Sequence, residues 1–264
     1  MNRLDSTFQR LKAEDRKGLI AFLMAGDPDL GASEDHFRTV VENGADVLEL
    51  GIPFSDPTAD GPTIQAAGKR ALDAGMTIEK GLELVRRLRR DIETPIVLFG
   101  YSNPYFAYGY DNFCKHAVEA GADGVLVVDI PAEEADEFTP SCHAHGLHFV
   151  PLIAPTTPPD RAARILGHSN GFVYYIMVTG VTGARARVSH NVREHVDRLR
   201  ECTPLPIGVG FGVSSGEQAR EVAEGADAVV VGSALVEAAT QGTLAELTRE
   251  LRAGLDAGRS VGGG

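Results

Sequence analysis

Short, unbroken apolar runs, separated by polar turns and amphipathic stretches, constrain this chain more than any other feature. Eight runs stand out, at 19–24, 47–50, 96–99, 125–128, 148–153, 172–177, 207–209 and 228–231. Most are continuous rather than alternating, the pattern of parallel strands covered on both faces. Helical periodicity fills the intervals at 35–42, 78–90, 111–119, 132–144, 161–166, 193–200, 217–224 and 244–253. Eight strand–helix units in 264 residues, with no second compositional regime, predict one domain over 1–264. Its expected class is α/β, a (β/α)8 TIM barrel. An open doubly wound sheet is the alternative. Residues 1–17 read as an N-terminal helix and 258–264 as a flexible tail.

A weak internal repeat supports the barrel. Glu42-Asn43-Gly44-Ala45-Asp46-Val47 returns as Glu119-Ala120-Gly121-Ala122-Asp123-Gly124-Val125 and as Glu224-Gly225-Ala226-Asp227-Ala228-Val229. Each copy sits where a helix ends and a strand begins. The glycine is expected to supply a left-handed residue after the helix, and the aspartate to bond the turn backbone.

Composition excludes several function classes. A formal net charge of −12 disfavours nucleic acid and anionic lipid as partners. The basic run 86–90 ends a predicted helix and reads as a solvated face. Cys114, Cys142 and Cys202 are odd in number and widely spaced, so neither a disulfide framework nor a metal knuckle is expected. No run reaches the ~18–20 apolar residues that span a bilayer. The charged N-terminus lacks the apolar core of a secretory signal, and the expected location is the cytoplasm.

Glu49 is the first residue out of place, a carboxylate inside the apolar run 47–50. There it is expected to face the barrel interior near the catalytic end of its strand. Burial raises the pKa of a carboxyl toward neutrality, which suits general acid/base work. Asp56 and Asp60 follow in Pro53-Phe54-Ser55-Asp56-Pro57-Thr58-Ala59-Asp60-Gly61-Pro62. Both are turn formers, but loop 51–61 directly follows the Glu49 strand and is expected to fold back over the same cavity. Pro62 then starts a helix. Asp129 ends the fourth run, with capping and support of the site both open readings.

The run Gly208-Val209-Gly210-Phe211-Gly212-Val213-Ser214, with Gly232-Ser233 after the next strand, predicts a phosphate-binding barrel. Glycine-rich turns and a helix N-terminus present backbone amides to an anion, and loops after the last two strands of such barrels recurrently do so. A dinucleotide fingerprint is set aside because no acidic residue suitably ends the next strand. A second long loop, 179–190, carries Thr182, Gly183, Arg185 and Arg187; both long loops are candidate lids. His143, His145 and His148 lie toward the opposite face and read as solvated, so no metal is expected. Phe22, Phe99, Tyr101, Leu126 and Tyr174 belong either to the core or to an aromatic-sized pocket at the barrel mouth.

These residues carry a resemblance. Leu48-Glu49-Leu50-Gly51-Ile52-Pro53-Phe54-Ser55-Asp56-Pro57 and Ala59-Asp60-Gly61-Pro62-Thr63-Ile64-Gln65 are together highly specific. Tyr101-Ser102-Asn103-Pro104, Asp129-Ile130-Pro131, Gly180-Val181-Thr182-Gly183, Gly210-Phe211-Gly212-Val213-Ser214 and Val231-Gly232-Ser233-Ala234 extend the match, though they fit many phosphate-binding barrels. Over nearly its whole length the chain resembles the tryptophan synthase alpha subunit family.

The resemblance implies a lyase of tryptophan biosynthesis that cleaves indole-3-glycerol phosphate, by retro-aldol chemistry, to indole and glyceraldehyde 3-phosphate. Glu49 would move the protons and Asp60 would hold the indole N–H. Phe22, Phe99, Leu126 and Tyr174 would line the indole pocket. Gly183, Gly212, Gly232 and Ser233 would bind the phosphate, Thr182 would help close the loop, and Tyr101, Gly210 and Phe211 are further substrate-binding residues. No cofactor is implied in this chain; pyridoxal phosphate belongs to a beta-subunit partner in an alpha2-beta2 heterotetramer. Met177 stands where many relatives carry Ser, a departure expected to touch no catalytic group. Two other readings stay open at this point: an isomerase or epimerase of sugar phosphates, and a partner-activated regulatory subunit.

Overall fold

The computed structural model describes residues 1–130, 134–167, 169–177 and 185–257, with backbone alone over 185–191. Nine strands lie among them: β1 Gly18–Met24, β2 Val47–Gly51, β3 Ile96–Gly100, β4 Gly124–Val127, β5 His148–Phe149, β6 Leu152–Ile153, β7 Val173–Ile176, β8 Ile207–Gly210 and β9 Ala228–Val231. Every pairing is parallel, in the order β5-β4-β3-β2-β1-β9-β8-β7-β6. The two ends of that order, β5 and β6, are separated in the chain only by Val150 and Pro151, so the sheet curls back on itself into a TIM barrel. Val150 N–H donates to Val125 O and Tyr174 N–H donates to Pro151 O, each at 2.9 Å, carrying the ladder across the junction.

The expected single strand 148–153 is therefore two. Pro151 has no N–H to donate, and a proline inside a ladder divides it. The helix expected over 132–144 is also shorter. A 3-10 turn, Ala135–Glu137, precedes the helix Thr139–His145, whose start is set by Pro140 in its first turn. The helix Arg185–Arg200 begins inside the expected loop 179–190, in a run of arginine and alanine that favours helix. Helix Leu30–Glu42 starts five residues before its apolar periodicity does, because Asp29 caps it by accepting from Ala32 N–H at 2.9 Å.

Strand parity sorts the core into two layers. Leu19, Leu48, Leu98, Val125, Tyr175 and Val229 point outward against the helices. Ile20, Val47, Val97, Leu126, Phe172 and Val230 point inward. The lower end of the barrel is plugged by the N-terminal helix Arg3–Ala13, shorter than the expected 1–17, through Leu4, Phe8 and Leu11.

The three repeated aspartates fasten this lower rim, in a way the turn chemistry alone does not suggest. Asp46 accepts from Leu19 N–H at 3.0 Å, Asp123 from Ile96 N–H at 2.8 Å and Asp227 from Ile207 N–H at 2.8 Å. Each thus holds an amide at the start of a neighbouring strand rather than one in its own turn. Each also meets an arginine: Asp46 with Arg252 at 2.9 Å, Asp123 with Arg89, and Asp227 with Arg200 at 3.0 Å. Gly44 and Gly121 adopt the left-handed conformation expected of them, with φ of 109° and 102°. Gly225 does not: a Cβ there would stand 2.9 Å from the Arg193 Cα, so close approach of backbone explains that glycine. His148 Nε2 and His145 Nε2 contact Asp5 at 2.9 Å and Asp111 at 2.8 Å.

Candidate active site

A cavity of about 390 Å³ opens at the upper mouth of the barrel. Glu49 lies at its floor. The register Phe22↔Glu49↔Val97 sets Glu49 in the inward-facing row of β2. It is fully buried, and neither carboxyl oxygen has a hydrogen-bond partner among the described residues. Desolvation with nothing to offset it pushes its pKa from the ordinary 4.5 up to about 8. A group in this state holds a proton at neutral pH yet gives it up within reach of ordinary chemistry.

Asp60 faces the same cavity from the loop after β2. The loop is tied down at several points. Asp60 N–H donates to Pro57 O at 3.1 Å, Gln65 Nε2 donates to Asp60 O at 2.8 Å, and Ala59 N–H donates to the Tyr101 hydroxyl at 3.0 Å. Partial burial raises the Asp60 pKa, while the neighbouring Tyr101 hydroxyl pulls it back down. Burial pushes Tyr101 itself up to about 12, so it stays a neutral partner. Pro62 stands at the first position of the helix Pro62–Asp73, as expected. That start turns Ile64, which sequence reasoning did not single out, into the cavity wall.

The other walls are apolar. Phe22 and Phe99 meet edge to face at 5.0 Å between ring centroids. Tyr174, Ile176 and Met177 come from the end of β7, and Phe211 from the turn after β8. Two glycines make room for the rings. A Cβ on Gly51 would stand 2.7 Å from Phe22 Cζ, and one on Gly210 would stand 2.8 Å from the Tyr174 hydroxyl. Burial raises the Tyr174 pKa, and the adjacent Glu49 adds to it.

Gly212, Gly232 and Ser233 line the far side of the cavity. Gly212 has a φ of 64°, which glycine adopts without strain. Ser233 opens the helix Ser233–Gln241, capped by Gly232 without a side-chain bond. Its first-turn amides, which no helix can satisfy internally, lie at the cavity.

Not every expected residue reaches the cavity. Leu126 is fully buried in the inner barrel layer and does not line it. Tyr101 stands behind the loop, bonded to Ala59, rather than in the wall. Asp56 accepts from the neighbouring Ser55 hydroxyl at 2.6 Å and is exposed. Asp129 accepts from Ser102 N–H at 2.7 Å and from Ser102 Oγ at 3.0 Å, which makes it a cap on the helix Ser102–Tyr108. Met177, expected to stay clear of the catalytic groups, shares the cavity with both. Ile176 was missed, although the parity that turns Tyr174 inward does the same two residues on. Thr182, Gly183 and Pro131 lie outside the described residues. Among the described residues no group of histidine, cysteine, aspartate and glutamate is arranged to hold a metal ion, and no helix is long and apolar enough to cross a membrane.

Comparison with known proteins agrees with this geometry. A family profile described as "Tryptophan synthase alpha chain" matches residues 8–256. The tryptophan synthase alpha chain of Geobacter sulfurreducens is 49% identical over 95% of this chain and 95% of its own length. That of Opitutus terrae is 50% identical over 89% of each. The crystal structure of tryptophan synthase subunit alpha from Legionella pneumophila superposes with a TM-score of 0.89 at 40% identity, covering 97% of this chain and 99% of the other. Tryptophan synthase from M. tuberculosis in an aminoacrylate-bound form matches with a TM-score of 0.88 at 36% identity, over 97% and 100%.

Proposed function

The chain belongs to the tryptophan synthase alpha chain family, lyases that cleave indole-3-glycerol phosphate in tryptophan biosynthesis, and on that premise we propose that Glu49 and Asp60 carry this reaction here. The observation that supports it most is the buried, unpartnered carboxyl of Glu49 at the floor of a ring-sized apolar cavity.

Cleavage needs a proton on indole C3, because an indole carbanion leaves poorly. Glu49, held neutral by burial, gives that proton to C3, and the ring becomes a cationic indolenine. The bond from C3 to the glycerol chain then breaks, and its electron pair returns to the ring. The hydroxyl on the departing carbon loses its proton to the Glu49 carboxylate and becomes the aldehyde. Each assisted proton transfer contributes about 10²–10⁴ in rate. Asp60 accepts from the indole N–H and balances the positive charge that develops on the ring.

Phe22, Phe99 and Tyr174 hold the indole ring, and Gly212, Gly232 and Ser233 give backbone amides to the phosphate. In this reading Gly210 and Phe211 shape the turn between the two subsites, while Tyr101 acts on the substrate only through Asp60 and its loop. Thr182 and Gly183 complete the phosphate end. The chain acts as one domain over 1–264, needs no cofactor of its own and works in the cytoplasm. Its expected partner is a pyridoxal-phosphate beta subunit, in an alpha2-beta2 assembly that receives the indole.

Measuring indole release from indole-3-glycerol phosphate, by the chain alone and with a beta subunit added, tests the proposal. Release in both cases, faster with the partner, is expected. No release in either would overturn it. Release only with the partner would transfer the main role to regulation.

A further inference from the structure

The strand that supplies Tyr174 to the mouth of the barrel has a second cavity behind it. Parity turns Tyr174 inward and Tyr175 outward. Behind Tyr175, between β6, β7 and the helices Pro159–Gly167 and Arg185–Arg200, lies a cleft of about 280 Å³. Its walls are apolar: Ile153, Ala162, Leu199 and the prolines 155, 158 and 159. No residue of this cleft lines the mouth cavity.

One feature of the cleft is not explained by packing. Tyr175 is only 2% exposed, and its hydroxyl has no hydrogen-bond partner among the described residues. Leaving a buried hydroxyl unmatched costs on the order of 1–3 kcal/mol. Two charged or titratable groups on the helix Arg185–Arg200 stand beside it. The His195 ring lies 6.1 Å from the Tyr175 ring between centroids. Burial pushes the phenol pKa up to about 12 against the opposing pull of the Arg198 charge. Arg198 also holds Glu194 at 2.5 Å through one terminal nitrogen. A guanidinium has five N–H donors, so that contact leaves others for a second acceptor.

We propose that this cleft is a binding site for a small organic acid with an apolar body of one or two rings. Its carboxylate accepts from the Tyr175 hydroxyl and is attracted by Arg198, while the ring rests on Leu199, Ile153 and the proline loop. Pockets for drug-sized molecules run from about 300 to 1,000 Å³, so a cleft of about 280 Å³ suits a smaller molecule. An occupant there presses on the back of the strand whose front carries Tyr174, Ile176 and Met177.

Cys202 makes the test direct. It lines the cleft and is exposed, whereas Cys114 and Cys142 are buried. The rate of Cys202 alkylation by iodoacetamide is followed on the full folded chain while phenylacetate is added, with glyceraldehyde 3-phosphate saturating the mouth cavity. Saturable protection of at least about threefold is expected. The neutral isostere phenylacetamide should protect only at much higher concentration. Tyr175→Phe, which keeps the ring and removes one oxygen, should raise the phenylacetate concentration needed roughly tenfold. Arg198→Ala should raise it by a smaller factor. Absence of saturable protection, equal protection by the amide, or protection unchanged in Tyr175→Phe would each overturn the assignment.

Discussion

Replacing Glu49 by Gln should slow the enzyme and stabilise it at the same time, a combination that follows from the isolation of this carboxyl. Below pH 4.5 the group is neutral in both folded and unfolded chains. Between pH 4.5 and about 8 the unfolded chain ionises while the folded chain keeps its proton. Stability therefore falls as the pH rises through this window, and the loss is complete above pH 8. At about 1.4 kcal/mol per tenfold change, a rise from 4.5 to about 8 bounds the loss at about 5 kcal/mol. Water entering the open cavity raises the effective dielectric, so about 2–3 kcal/mol is the expected size. Glutamine has a similar shape and never ionises. Urea unfolding at pH 5, 6.5 and 8 should show the wild-type chain losing stability along the series, while Glu49→Gln shows no such slope from this group. In the same samples indole release should fall by at least about 10²-fold, the lower end of what one positioned proton transfer contributes. Binding of a substrate analogue such as indolepropanol phosphate should change little. Parallel stability curves in the two proteins would refute the buried-orphan account, and unchanged turnover would refute the proton-transfer role.

Asp60→Asn should reduce turnover strongly but less than Glu49→Gln, since an amide still accepts the indole N–H and loses only the charge; steady-state kcat values rank the two. Tyr101→Phe removes both the acceptor for Ala59 N–H and the hydroxyl that lowers the Asp60 pKa. The acidic limb of the kcat/KM profile should therefore move to higher pH, and an unmoved limb would leave Tyr101 a packing residue. Asp123→Ala strands Arg89 and the Ile96 amide at the lower rim, which should cost about 3–5 kcal/mol in urea unfolding while kcat of the folded fraction stays the same.

What the sequence reveals here depends on whether the signal is local. Apolar runs place most of the strands because burial on both faces leaves its mark on consecutive residues. Pro151 splits a strand that reads as continuous, since apolar character alone does not register a missing N–H. Glu49 stands out because a charge in such a run has few explanations. Leu126 and Phe99 read alike as apolar residues of neighbouring strands, yet only Phe99 reaches the cavity. The two are cross-strand partners in the β3–β4 register, and which of them borders the opening is settled by closure of the barrel, which no periodicity encodes. Ile64 and Met177 enter the wall through the start of a helix and the end of a strand, where element boundaries decide the direction of a side chain. The aspartates of the internal repeat are visible as punctuation, but their real partners, a neighbouring strand and a distant arginine, arise only on closure.

The two ends of the barrel treat the same chemical group in opposite ways. At the lower rim Asp46, Asp123 and Asp227 are each given a backbone amide and an arginine. Paired in this way, each carboxylate fixes adjacent strands. At the mouth Glu49 is given neither. Nothing prevents a barrel of this kind from satisfying it, for Tyr174 stands beside Glu49 with its hydroxyl near Gly210. An arginine or an amide there would return the pKa toward 4.5 and leave the group unable to protonate carbon at neutral pH. The cost of leaving it unmet falls on a scaffold whose other end is densely cross-linked. Supplying Glu49 with a cation, for example through Ile176→Arg, should therefore lower the upper pKa of the rate profile and suppress turnover even though it adds an ion pair. Retained turnover with an unshifted profile would show that isolation of Glu49 is incidental to the chemistry.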